Sequence, residues 1–212
     1  MRTIARYADR AGDWSEYSDE NTVTERQVSN NGNGSWIQNQ YGWWYRYYDG
    51  GYPSNTWEKI NNTWYYFNRD GYMLNGWQQI SGSWYYLGAN GAMTRGWQSV
   101  NGRWYYMNGD GVMLTGWQYL GGRWYFLDGS GAMLTGWQFI NGAWYFLDGS
   151  GAMLTGWQFI NGHWYYMNDS GIMLTGWQFI NGAWYYLDGS GAMYANQTTP
   201  DGYYVDGSGK RN

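Results

Sequence analysis

The chain has 212 residues, a formal net charge of −4, a pI near 4.8 and a mean hydropathy of −0.70, with 23% aromatic residues. Twelve basic residues, scattered rather than clustered, exclude a phosphate-backbone ligand, so no nucleic-acid partner is expected. The absence of cysteine and the single histidine, His163, leave no disulfide framework and no well-supplied zinc site, so no metal or cofactor is expected.

Residues 1–34 form a polar segment rich in Arg, Asp and Glu that ends in Ser29-Asn30-Asn31-Gly32-Asn33-Gly34, the composition of a flexible linker. A short helix over Ile4 to Ala11 fits its composition, and its expected role is a tether. Met1 to Asp19 hold no apolar stretch resembling a signal peptide, and no run in the sequence is long enough to cross a membrane. Membrane insertion is therefore not expected, and an exported protein with this sequence would be a mature form or a fragment.

From Ser35 a repeat takes over, with an irregular first unit at 35–56, regular units at 57–195 and a terminal cap at 196–212. Tryptophan returns every twenty residues at Trp57, Trp77, Trp97, Trp117, Trp137, Trp157 and Trp177. A second follows seven residues later and a methionine nine after that, as in Trp137, Trp144 and Met153. A fixed period of this size marks a repeat array. Within each unit two β-prone runs flank a turn such as Asn141-Gly142, the strongest short-range hairpin signal because a type I′ turn needs positive φ at both positions. Asn61-Asn62 is the weakest of these turns. A lone twenty-residue hairpin cannot offset its ordering entropy, so the expected product is all-β, an elongated β-solenoid of stacked hairpins.

Alternation along a strand puts Trp144 with Phe146 on one side and Tyr145 with Leu147 on the other. Ile140 and Leu147 suit the interior. The tryptophans admit two readings, packing alone or an aromatic cage in which rings and a methionine thioether attract a quaternary ammonium. The recurrent acids Asp110, Asp128, Asp148, Asp169 and Asp188 sit in the loops, where turn formation explains them. They are not arranged as the paired carboxylates that glycoside hydrolysis needs.

The pattern Gly-Trp, then Trp-Tyr-Tyr-Leu-Asp, then Gly-Ala-Met and the next Thr-Gly-Trp, running over about 35–209, resembles the choline-binding repeats of bacterial surface proteins, autolysins and phage lysins. The resemblance implies that each site takes both tryptophans of a repeat, the intervening methionine and the last aromatic of the next repeat's triplet. Carried over, the sets are Trp57, Trp64, Met73 and Tyr86; Trp77, Trp84, Met93 and Tyr106; and Trp97, Trp104, Met113 and Phe126. They continue with Trp117, Trp124, Met133 and Phe146; Trp137, Trp144, Met153 and Tyr166; and Trp157, Trp164, Met173 and Tyr186. Two sets depart from the pattern: Trp36, Trp44 and Tyr66, with Pro53 in place of methionine, and Trp177, Trp184 and Met193, closed by Tyr203 or Tyr204.

The implied function is a non-catalytic wall-binding module of a secreted, cell-surface protein, with choline or phosphocholine groups of teichoic acids as partner and dimers allowed. The alternatives are a glucan- or glycan-binding repeat and the targeting half of a wall hydrolase whose catalytic domain lies outside this sequence. Persistence of both tryptophans and the methionine favours a cation cage over a sugar shelf.

Overall fold

The computed structural model describes residues 33–211, preceded by the backbone of three short strands, β1 (Arg6–Ala8), β2 (Trp14–Glu16) and β3 (Thr24–Arg26). The helix expected over Ile4 to Ala11 is not formed at Arg6–Ala8, which pairs antiparallel with β2. Strand pairing there overrides a weak helix propensity; the rest of that span lies outside the described residues, as does the linker from Ser29 to Gly32.

Every regular element among the described residues is a strand. The first hairpin is β4 (Gly34–Asn39) and β5 (Gly42–Tyr47), with β3 added to its edge. It is followed by β6 (Thr56–Ile60) with β7 (Thr63–Phe67) and β8 (Gly76–Ile80) with β9 (Ser83–Leu87). Five more hairpins follow: β10 (Gly96–Val100) with β11 (Arg103–Met107), β12 (Gly116–Leu120) with β13 (Arg123–Leu127), β14 (Gly136–Ile140) with β15 (Ala143–Leu147), β16 (Gly156–Ile160) with β17 (His163–Met167), and β18 (Gly176–Ile180) with β19 (Ala183–Leu187). A short pair, β20 (Gln197–Thr198) with β21 (Tyr204–Val205), comes last. The chain divides into two compact units, residues 1–95 with 109–112 and residues 96–108 with 113–212.

The turns form as their residues dictate. Asn141 and Gly142 have φ of 50° and 86°, and even Asn61 and Asn62 reach 49° and 66°. Asparagine tolerates this region because its short amide bonds to nearby backbone. The register follows, with Gly136 opposite Leu147, Trp137 opposite Phe146 and Ile140 opposite Ala143.

From β6–β7 onward one side chain per hairpin is fully enclosed: Phe67 and Leu87 in the first unit, and Met107, Leu127, Leu147, Met167, Leu187 and Val205 in the second. Ile140, at 8% exposed, joins Leu147 in the interior as expected. Full burial of such a side chain contributes about 1.5–3 kcal/mol. Within each unit backbone bonds tie one repeat to the one before it, for example Met133 N–H donating to Trp104 O at 2.8 Å and Met153 N–H to Trp124 O at 2.8 Å.

Candidate functional site

The loop after each hairpin sets the start of the next. Asp148 Oδ1 accepts from Ser150 N–H at 2.8 Å, Ser150 Oγ at 2.6 Å and Ala152 N–H at 3.0 Å. Partial burial alone would raise this carboxyl, but the bonds from Ser150 and Ala152 outweigh it and hold it below the ordinary value; Asp128 and Asp188 behave alike. In the repeat containing Asp169, the neighbouring Asn168 takes this part through its amide oxygen. The acids at these positions are thus turn residues, as their loop placement suggested.

Gly151 has φ +84°, and a Cβ there would overlap the thioether of Met133. The same contact recurs between Gly171 and Met153 and between Gly91 and Met73. Each methionine is therefore half-buried beneath the following loop rather than free to solvent.

Above this scaffold the rings gather. Trp117 meets Trp124 at 6.4 Å and 87°, Phe126 at 5.1 Å and Tyr145 at 4.9 Å between centroids. Trp137 repeats the arrangement with Trp144, Phe146 and Tyr165, at 6.4, 5.1 and 4.8 Å. So do Trp97, with Trp104, Tyr106 and Tyr125, and Trp157, with Trp164, Tyr166 and Tyr185. In the first unit Trp57 meets Tyr66 at 5.2 Å and Tyr85 at 4.9 Å, and Trp77 meets Trp84 and Tyr86. Edge-to-face packing satisfies the ring quadrupoles. The second tryptophan is the open wall, Trp144 being 43% exposed.

The ring contacts between successive repeats differ from those the carried-over sets imply. The ring that closes on a tryptophan from the next repeat is the middle one of the triplet, Tyr85 on Trp57 and Tyr145 on Trp117, not the last one. Tyr86, Tyr106, Phe126, Phe146, Tyr166 and Tyr186 instead stand across their own hairpins from Trp77, Trp97, Trp117, Trp137, Trp157 and Trp177. Period-two alternation is the reason, because adjacent triplet residues point to opposite faces.

The methionine backbone links neighbouring repeats. Met93 donates its N–H to Trp64 O, Met133 to Trp104 O, Met153 to Trp124 O, Met173 to Trp144 O and Met193 to Trp164 O. The backbone of each of these methionines thus reaches the second tryptophan of the preceding repeat while also bridging its own hairpin, as Met153 does to Leu147. Met73 donates to Trp43 O in the same way.

In the first hairpin Trp36 stands opposite Tyr45 and Ile37 opposite Trp44, so Trp36 and Trp44 face opposite ways. Trp43 is the residue on the Trp36 side, and Tyr65 rather than Tyr66 closes on Trp36 at 4.9 Å. Trp36 also stacks on Phe67 at 5.8 Å and packs against the core of Tyr45, Ile60 and Phe67. In the Trp177 set the closing ring is Tyr203 at 5.9 Å, while Tyr204 is 48% exposed. A carboxylate lies close here, Asp201 Oδ2 accepting from Trp177 Nε1 at 2.8 Å.

A stripe of rings escaped the sequence reading. Tyr119, Phe139, Phe159 and Phe179 are each 61% exposed and lie 5.2–5.3 Å from Trp124, Trp144, Trp164 and Trp184. The signal was available, since each stands two residues after a Gly-Trp tryptophan and so shares its face. His163 lies opposite Ile160 at an exposed position. Among the described residues no group of three or more His, Cys, Asp or Glu could hold a metal ion, and no helix is long and apolar enough to cross a membrane.

Comparison with known proteins decides what this arrangement belongs to. The choline-binding repeat family matches at residues 54–95, 94–135, 114–155, 134–166 and 154–197. The chain belongs to the choline-binding repeat family. Choline binding protein F from Streptococcus pneumoniae, in the presence of a peptidoglycan analogue, is 36% identical, with a TM-score of 0.78 over 98% of this chain and 75% of that one. CbpJ from the same species is 34% identical with a TM-score of 0.78, again over 98% and 75%. The modular autolysin LytC of that species is 30% identical with a TM-score of 0.62, over 98% of this chain and 44% of its own. No curated protein matches. The choline-binding repeats of this chain thus share both sequence and stacked-hairpin fold with pneumococcal proteins.

Proposed function

We propose that the chain is a non-catalytic wall-binding array whose inter-hairpin clusters hold the choline groups of teichoic acids at a bacterial surface. In this reading one site is Trp57, Trp64, Tyr66 and Tyr85 with Met93. Others are Trp97, Trp104, Tyr106 and Tyr125 with Met133; Trp117, Trp124, Phe126 and Tyr145 with Met153; Trp137, Trp144, Phe146 and Tyr165 with Met173; and Trp157, Trp164, Tyr166 and Tyr185 with Met193. Residues 57–195 carry the function, and 1–34 serve as a tether.

The observation that carries the reading is the repeated cluster of near-perpendicular rings around Trp117 and its equivalents, with one exposed wall. Family membership and the presence of a peptidoglycan analogue with choline binding protein F support the same direction. Phe126 and Phe146 lack a hydroxyl, but the attraction to a trimethylammonium comes from the ring face, so these sites remain competent.

Each cation–π contact contributes about 0.5–2 kcal/mol, and about −4 kcal/mol corresponds to a millimolar dissociation constant. Single sites are therefore weak. Several sites on one polymer raise avidity by about 10²- to 10⁴-fold through effective concentration. Calorimetric titration with choline, with dextran as the comparison, tests the proposal. Heat with choline and none with dextran is expected, and Trp144→Ala should keep the fold while reducing uptake. No heat with choline at concentrations of about ten times the millimolar scale set by these contacts would remove the reading.

A further inference from the structure

Asp206-Gly207-Ser208-Gly209-Lys210-Arg211 matches Asp148-Gly149-Ser150-Gly151-Ala152-Met153 slot for slot, with arginine in the methionine slot. The local structure is the same. Asp206 Oδ1 accepts from Ser208 N–H, Ser208 Oγ and Lys210 N–H at 2.8, 2.7 and 3.0 Å. Arg211 N–H donates to Trp184 O at 2.9 Å, the bond that Met173 makes to Trp144. Gly209 closes over Met193 as Gly151 closes over Met133. Arg211 is thus held where its sister repeats hold a thioether, beside the rings of a cage.

Its side chain enters that cage. The guanidinium carbon lies 3.6 Å from the Tyr203 centroid and 5.7 Å from that of Trp177. Trp177 and Tyr203 are 5.9 Å apart, against 4.9 Å for Trp157 and Tyr185 in the preceding repeat, which leaves room for a planar cation on Tyr203. Asp201 supplies a nearby counter-charge. Its carboxylate is held low by the hydroxyl of Thr199 first, then by the Trp177 indole, with Arg211 adding a smaller attraction. In the other ring clusters of this unit the methionine slot brings no charge.

We infer that the cluster of Trp177, Trp184, Tyr186 and Tyr203 is a cation site already filled by the chain's own Arg211, which excludes an external quaternary ammonium from it. This rests on the reading that the sister clusters take cations. A guanidinium tethered on a short backbone bridge acts at an effective concentration of about millimolar or above, comparable with the affinity of one cage for free choline. Arg211 also suits the position better than lysine, because its planar group stacks on a ring and is weakly hydrated.

Equilibrium dialysis with labelled choline at saturating concentration, comparing wild type with Arg211→Met and Arg211→Lys, tests the inference. Arg211→Met restores the residue of the sister repeats and so keeps the packing; a thermal melt by circular dichroism checks that each variant is folded. Uptake should rise by about one choline per chain in Arg211→Met, with Arg211→Lys intermediate, because the stacked guanidinium is what competes. Equal, non-zero uptake by wild type and Arg211→Met overturns this inference and leaves the other cages standing. No uptake by any of the proteins overturns the cage reading and this inference with it.

Discussion

Tyr145 and Phe146 are neighbours in sequence and belong to different ring clusters. Tyr145 closes on Trp117 of the preceding repeat, whereas Phe146 stands beside Trp137 of its own hairpin. Tyr145→Ala should therefore destabilise the unit by about 2 kcal/mol, from lost ring packing and area, and weaken choline uptake at the Trp117 cluster. Phe146→Ala should spare that cluster and weaken the one around Trp137. Titration followed by indole resonances distinguishes the two, and a Phe146→Ala protein with Trp117 unresponsive to choline would contradict the placement. The exposed Phe139 adds a further ring beside Trp144, where the corresponding positions of earlier repeats carry Ser99, Gln79 and Lys59. Phe139→Ser should cost little stability, within about 0.5 kcal/mol for a surface change, while lowering affinity at that cluster alone.

Each loop carries two constraints on the element it starts. Gly151 needs positive φ and leaves no room for a Cβ against Met133. Gly151→Ala should cost about 1–2 kcal/mol from the left-handed backbone alone, with the overlap adding to it, and the loss should show as a lower melting temperature. The aspartate in the loop predicts an acid limb. Because the folded carboxyls of Asp128, Asp148 and Asp188 lie below their ordinary value, their stabilisation is complete above the usual aspartate pKa of about 4 and is lost as pH falls through the lowered folded values. Replacing all three by Asn, as at Asn168, should flatten the fall in melting temperature below about pH 4 while retaining the turns. An unchanged acid limb in the triple variant would show that other carboxylates govern it.

At the scale of the whole molecule the unit of design is the period. Removing one complete repeat, residues 137–156, should leave the hairpin register of the second unit intact, since each repeat bonds to its neighbour through equivalent atoms. Removing ten residues should not, because a half-period deletes one strand of a pair. Circular dichroism and thermal melting separate the two outcomes. Ligand binding only to the folded array should raise its melting temperature by linkage, the stabilisation being about 2.7 kcal/mol per site at a hundredfold excess over the dissociation constant. A melting temperature insensitive to choline would argue against sites formed between hairpins.

The sequence by itself determined whatever is local. Asn141-Gly142 specifies its turn, alternation places Leu147 inward and Trp144 outward, and the twenty-residue tryptophan spacing marks where clusters recur. Fold class and the two tryptophans of each cluster were legible for that reason. Only the tertiary structure decided which rings lie against one another, because Tyr145 and Phe146 are consistent with several stackings until one hairpin is laid against the next. The choice of Trp43 over Trp44, of Tyr203 over Tyr204, and the entry of Arg211 into a methionine slot have the same origin. Strand alternation fixes the face of a side chain, but its partner lies in another repeat, and that contact exists only once the repeats stack.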